Sequence, residues 1–174
     1  EPGLWVERLD TTGPAAGRPA LFLDRDGTIN VDTGYPSNPV EVELRPSILP
    51  VIRAANKAGM PAVIVSNQSG IARAFLGWAG FAAVNARIID LLENEGCVIS
   101  MVLACAYYEK GFAPYVVPDH PMRKPNPGMI LLAAESLGVD LGRSIMVGDK
   151  DSDMLAGRRA GLAEGWMVGG NNSA

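Results

Sequence analysis

Short, predominantly apolar runs, three of them closing directly on polar residues, constrain this chain more than any other feature. They are Ala20–Leu23 before Asp24, Pro61–Val65 before Ser66, Val98–Cys105, Ser144–Gly148 before Asp149, and Trp166–Val168. Apolar at successive rather than alternate positions, they read as strands buried on both faces. Leu4–Leu9 reads as a further strand. Helical patterns lie between the runs. Ser47–Ala58, with Ser47 as N-cap and Gly59 as stop, puts Ile48, Val51, Ile52 and Ala55 on one face. Trp78–Glu95 does the same with Phe81, Val84, Ile88, Leu91 and Leu92 before Gly96. Pro127 suits a first helical turn, Met129–Leu137 carries the next stripe, and a last helix runs to Ala160 before Gly161.

This alternation predicts an α/β fold: a three-layer, Rossmann-like parallel sheet with helices on both faces. In such sheets ligands bind beyond the carboxyl ends of the strands. Asp24 and Asp26, Ser66, Lys124 after the third strand's loop, and Asp149 with Asp153 all fall at such ends. Helices following each cluster would aim their N-terminal dipoles at the site and favour an anion there. Residues two apart in a strand share a face, so Asp24 and Asp26 can point together. Two acids that close need a cation or a shared proton.

The available groups narrow the chemistry. Net charge is −4 with no basic tract, which argues against nucleic acid and anionic membrane as partners. No apolar run approaches the ~20 residues that span a bilayer. The two cysteines, Cys97 and Cys105, make no disulfide framework, and a reducing cytoplasm is the simplest compartment. A single histidine, His120, excludes a histidine pair. Clustered carboxylates favour a hard cation such as Mg²⁺ together with a phosphate. Lys124 suits phosphate oxygens, and Ser66 can donate to the same oxygens. Either acid of the first cluster can serve as nucleophile while the other handles protons.

Leu23-Asp24-Arg25-Asp26-Gly27-Thr28, Ser66-Asn67-Gln68, Lys124-Pro125 and Gly148-Asp149-Lys150 with Asp153 resemble the four ordered motifs of the haloacid dehalogenase (HAD) superfamily. Their longer contexts look like the branch holding the D,D-heptose 1,7-bisphosphate phosphatases and histidinol-phosphatases. The resemblance covers about residues 20–165. It implies that Asp24 takes the phosphoryl group, Asp26 handles protons, and Ser66 and Lys124 hold phosphate oxygens. It also implies that Asp24, the Asp26 carbonyl and Asp149 hold Mg²⁺, with Asp153 and Lys150 ligating or orienting nearby. The partner is then a small phosphorylated metabolite: a heptose-type sugar bisphosphate first, histidinol phosphate or another small phosphoester as the alternative. A non-catalytic binding protein on the same fold is the reading from a different class. The chain would be one catalytic domain with an extension over 1–19, acting as a monomer or small homo-oligomer.

Two departures from that branch shape the expectations. Relatives carry a zinc loop of Cys-x-His and Cys-x-Cys type before Arg-Lys-Pro. The matching positions here read Cys105, Tyr107, His120 and Met122, too few good ligands for a tetrahedral site, so no zinc is expected. No insert is long enough for a large cap domain. Substrate choice then falls to loops, with Asn30, Asp32, Tyr35, Asn67, Gln68, Arg73 and Arg123 as candidate contacts. The two arginines are candidates for a second phosphate, because guanidinium matches such groups bidentately.

Overall fold

The computed structural model describes residues 1–10 and 16–169. Its centre is a six-stranded sheet of β1 (Leu4–Arg8), β2 (Leu21–Leu23), β3 (Ala62–Asn67), β4 (Met101–Cys105), β5 (Ile145–Gly148) and β6 (Glu164–Met167), in the order β1-β4-β3-β2-β5-β6. All neighbours are parallel except β1, which runs antiparallel along β4 with Val6 opposite Leu103. The all-parallel expectation therefore holds for five strands and fails at one edge. An antiparallel edge strand needs no crossover helix, and commonly joins an otherwise parallel sheet.

Five helices cover the sheet: α1 (Leu49–Lys57), α2 (Ser69–Ala72), α3 (Trp78–Asn94), α4 (Gly128–Leu137) and α5 (Asp151–Ala160). Alternate strand residues feed two separate cores. Leu21, Leu23, Ile64, Val102 and Val147 pack with α1 and α3 through Ile52, Phe81, Val84 and Ile88. Phe22, Val63, Val65, Leu103 and Met146 pack with α4 and α5 through Met129, Ile130, Ala133 and Ala156. The period of two is present, but both phases are apolar because both faces are buried.

Three element boundaries differ from the sequence reading. Ser47 is not a cap: Pro46–Ile48 form a 3-10 turn, and α1 starts at Leu49 without a side-chain cap. Pro50, whose missing N–H costs nothing in a first turn, sets that start. β4 begins at Met101 rather than Val98, whose amide is taken by the Asn56 side chain. The last strand, read as a buried run over Trp166–Val168, spans Glu164–Met167 and is exposed along its length. Between Asp24 and α1 the chain is loop, with a tight turn over Arg25–Asn30 and a 3-10 turn at Pro39–Glu41. β2 is the central strand, flanked by β3 and β5, and the chain reverses its direction of winding there. Asp24 thus leaves the sheet at the switch point, where ligand crevices form.

Candidate active site

Asp24 follows β2, and its amide donates to Val147 O at 3.0 Å. Its carboxylate meets Lys124, whose Nζ lies 2.8 Å from Asp24 Oδ1 and 2.6 Å from Asp153 Oδ1. All three side chains are buried. Burial works to depress the Lys124 pKa, but the two carboxylates outweigh it and raise the value above the usual lysine range. The backbone of Lys124 is fixed by Asn67, whose amide donates to Lys124 O and accepts Lys124 N–H at 2.9 and 3.0 Å. Asn67 therefore clamps the Lys124 loop to the end of β3.

Asp149, Asp24 and Asp153 bring three carboxylate oxygens within 4.8 Å of one another, the one such ligand group among the described residues. Burial first, then a hydrogen bond and repulsion from Asp24, push Asp149 up to about 6 against the pull of Lys150. Burial and the Asp24 charge also raise Asp153, despite Lys124. Asp24 Oδ2 and Asp149 Oδ1 are buried without a hydrogen-bond partner. Clustered, strained and unpartnered, these oxygens fit a hard divalent cation with oxygen preference. Two glycines make the crowding possible. A Cβ on Gly27, whose φ is +90°, would lie 2.3 Å from Asp149 Oδ2, and one on Gly148 would lie 2.3 Å from Asp153 Oδ2. Asp153 also accepts Lys150 N–H at 3.1 Å, which closes the first turn of α5.

Asp26 stands apart from that cluster. Oδ1 accepts from Arg25 Nε at 2.9 Å and Asn30 Nδ2 at 3.0 Å. Oδ2 accepts from Arg25 Nη2 at 3.2 Å and Gln68 Nε2 at 3.1 Å. Burial would raise its pKa, but the Arg25 charge and these hydrogen bonds outweigh burial and hold the carboxyl below its usual range. Gln68 donates to Ser66 Oγ as well, at 2.8 Å, linking the ends of β2 and β3.

These groups floor a cavity of about 510 Å³. Of the sequence-nominated residues, Asp24, Asp26, Asp32, Tyr35, Ser66, Asn67, Gln68, Arg123, Lys124, Lys150 and Asp153 line it. Asp149 lies beside it in the acid cluster, Asn30 stands behind Asp26, and Arg73 stands behind Tyr108. Arg73 donates to Tyr108 Oη at 2.8 Å, and both guanidinium groups, of Arg73 and Arg123, sit 4.7 Å from the Tyr108 ring centre. Tyr35 packs against Phe75 at the rim, ring centroids 4.7 Å apart and planes tilted by 45°.

The loop that matches a zinc loop is organised by side-chain stacking. Tyr107 and His120 lie face to face at 4.1 Å. His120 Nδ1 accepts Met122 N–H at 3.0 Å, and Nε2 lies 3.4 Å from the Glu1 carboxylate. Cys105 is buried, and burial lifts its thiol to about 11.

Sequence reasoning gave no role to Arg25, Arg45 or Tyr108. Arg25 carried a signal, a cation wedged between two acids in an otherwise apolar stretch. Arg45 carried none: it is buried and donates to the carbonyls of Gly27 and Gly169, a contact set by folding alone.

Comparison with known proteins adds the lineage. Residues 121–174 match the HAD-hydrolase-like family model. A D-glycero-beta-D-manno-heptose-1,7-bisphosphate 7-phosphatase of Mesorhizobium japonicum is 61% identical over 98% of this chain and 78% of its own length. The chain belongs to the HAD phosphatases. It is accordingly a hydrolase of phosphoric monoesters. A second such 7-phosphatase, from Rhodopseudomonas palustris, is 39% identical over 87% of this chain and 84% of its own. Among solved structures, a HAD-like chain of Mesorhizobium loti superposes with a TM-score of 0.95 at 59% identity, covering 100% of this chain and 83% of that one. The D,D-heptose 1,7-bisphosphate phosphatase of B. bronchiseptica, complexed with magnesium and phosphate, superposes with a TM-score of 0.74 at 30% identity, over 86% and 80% of the two chains. The non-catalytic alternative does not survive these matches. In this HAD phosphatase, no helix among the described residues is long and apolar enough to cross a membrane.

Proposed function

We propose that this HAD phosphatase removes the 7-phosphate of a D-glycero-D-manno-heptose 1,7-bisphosphate through a phosphoaspartate at Asp24. One observation carries the chemistry: a fully buried lysine pairs with the acid at the switch point, on the floor of a cavity large enough for a sugar phosphate. The names of the 7-phosphatase relatives support the sugar.

In this reading Ser66 Oγ and Lys124 Nζ bind phosphate oxygens and orient the phosphorus towards Asp24. Asp24 attacks, and the bond to the sugar oxygen breaks as Asp26 delivers a proton to that oxygen. Water then attacks the phosphoaspartate, giving its proton to Asp26, and inorganic phosphate leaves with Asp24 restored. Asp26 is held ionised in the free site. An incoming phosphate dianion raises its proton affinity by like-charge repulsion, so the acid is loaded only when substrate is present. Mg²⁺ held by Asp24, Asp149 and the Asp26 carbonyl, with Asp153 close by, would neutralise the clustered carboxylates and phosphate charge. Asn67, Gln68 and Asn30 position Lys124, Ser66 and Asp26 through the bonds described above. Asp32, Tyr35 and Arg123 meet the sugar and its second phosphate at the rim. The chain acts as one catalytic unit on a small phosphorylated sugar, and two unpaired buried cysteines suit a reducing cytoplasm.

The test is phosphate release from heptose 1,7-bisphosphate, hexose bisphosphates, histidinol phosphate and an aryl phosphate, with Mg²⁺ and with EDTA. The heptose ester should give the highest kcat/KM, and EDTA should abolish turnover. Equal or better hydrolysis of histidinol phosphate would overturn the substrate. Mg²⁺-independent turnover would overturn the metal assignment.

A further inference from the structure

We propose that Arg25 is a positioning residue for proton transfer: it sorts Asp26 away from the cation-binding acids and fixes its carboxylate for the leaving oxygen. The inference rests on the phosphatase reading above and extends it to a residue that touches neither substrate nor cation.

Arg25 is the largest fully buried side chain described, with 0% exposure, and it does not line the cavity. Arg25 opens the turn that follows β2, and its side chain packs against α3. There its Cζ lies 5.0 Å over the Phe81 ring. Phe81 is itself wedged between Trp5 and Trp78, at 5.2 and 5.4 Å. From this rigid platform the guanidinium reaches back and grips both oxygens of Asp26, Nε at 2.9 Å and Nη2 at 3.2 Å. The third nitrogen, Nη1, is buried with no partner.

That arrangement is poor as a stabilising device. Taking a guanidinium out of water is costly, one nitrogen stays unsatisfied, and an apolar side chain would fill the niche against Phe81 with no such cost. Features that break the local rules without a packing gain mark functional positions. The gain is visible at Asp26. Asn30 and Gln68 each offer one neutral bond, whereas Arg25 offers a charged fork that sets the plane of the carboxylate. Lys124 pairs with Asp24 and Asp153, and those two with Asp149 form the cation cluster; Asp26 belongs to neither set. Without the fork, an acid two residues from Asp24 has a lysine and a cation to turn to. Arg25 keeps the nucleophile and the proton carrier in separate environments.

The experiment compares Arg25→Met and Arg25→Lys with wild type, in Mg²⁺, on p-nitrophenyl phosphate and on an alkyl sugar phosphate. Met keeps the contact with Phe81, so Arg25→Met should melt within a few degrees of wild type. Nitrophenolate needs no proton to leave. With that ester Arg25→Met should show a rapid burst approaching one equivalent per chain, then a steady rate lowered about 30-fold by slow phosphoenzyme hydrolysis. The sugar ester needs the proton in both half-reactions and should slow by about 100-fold, at nearly unchanged KM. Arg25→Lys should recover part of both losses. In an Asp26→Asn background, Arg25→Met should change the steady rate less than about 2-fold, because two residues acting through one step do not add. Turnover of Arg25→Met within about 3-fold of wild type on both esters would overturn the proposal. So would equal loss of burst and turnover with a raised KM, which marks a structural residue. If Arg25→Met does not melt cooperatively, Arg25→Lys carries the test, with the same burst required. Wild type inert on both esters would instead remove the phosphatase reading beneath it.

Discussion

The floor and the rim of the cavity are built on opposite principles. The floor joins residues from the ends of β2, β3 and β5 and the Lys124 loop, far apart in sequence, through short buried contacts such as Lys124 Nζ to Asp153 at 2.6 Å. The rim is assembled from loops, with Tyr35 and Phe75 substantially exposed and Tyr108 held between two arginines. Burial amplifies every charge on the floor and leaves no room for substitution. Exposure screens the rim charges and lets loops vary. In the proposed function the difference separates two tasks: reaction chemistry on the sheet, and choice of substrate on the loops.

The strongest way to break this division is at the floor's first residue. Asp24→Asn should lower kcat by on the order of 10⁴-fold or more in stopped assays of phosphate release, with the fold retained by circular dichroism. Activity surviving that change would take the nucleophile elsewhere. Next is Lys124→Met, which strands Asp24 and Asp153 as buried charges with no cation between them. Urea titration in EDTA should show a loss of about 3–5 kcal/mol, and a loss under 1 kcal/mol would mean that the acids are not charged together in the folded chain.

A third test uses pH. Asp149 sits at about 6 in the folded chain, above the ordinary carboxylate value, so the fold binds its proton more tightly than the unfolded chain does. Its stabilising contribution is therefore complete below the ordinary carboxylate range and is lost as pH rises through about 6. The melting temperature of the metal-free protein should fall across that window. Mg²⁺ should restore it at pH 7 and do little at pH 4, where protons occupy the same oxygens. Asp149→Asn should flatten both trends, and a metal-free protein indifferent to pH there would show the acids to be uncoupled.

The smallest effect is expected at the rim. Arg123→Ala should raise KM for a sugar bisphosphate by about 10-fold while leaving hydrolysis of an aryl monophosphate within about 2-fold. Equal loss on both esters would make Arg123 part of the floor and blur the division. Rim variants should also melt close to wild type, since partly exposed charges contribute little stability.

How much of this was legible beforehand varies by region. The apolar runs located β2 to β5 because burial on both faces leaves an unbroken hydrophobic signal, whereas β6 is exposed along its length and starts two residues before the run that was read. The antiparallel β1 was legible as a strand but not in direction, since pairing sense depends on where the chain enters the sheet. Ser47 looked like a cap because capping residues are recognised by type, while Pro46 and Pro50 in fact decided where α1 starts. Among the site residues, Asn67 and Gln68 were legible as neighbours of Ser66 in its motif. Their bonds to Lys124 and Asp26 were not, because those partners lie across the sheet edge.

By itself the sequence determined which residue types meet at the carboxyl edge and in what chain order, because strand periodicity and polar run ends are local properties. It determined the reaction class through the same residues. The motif resemblance assigned the two acids different jobs, but only the tertiary structure shows the separate environments that hold them apart. Asp24 and Asp26 are two residues apart and chemically identical, so no local rule distinguishes them. Lys124 arrives from a distant loop to claim one, and Arg25 folds back from the helix side to hold the other. Charge pairing in a dry interior depends on ångström-scale placement, and that placement exists only after the two cores have closed.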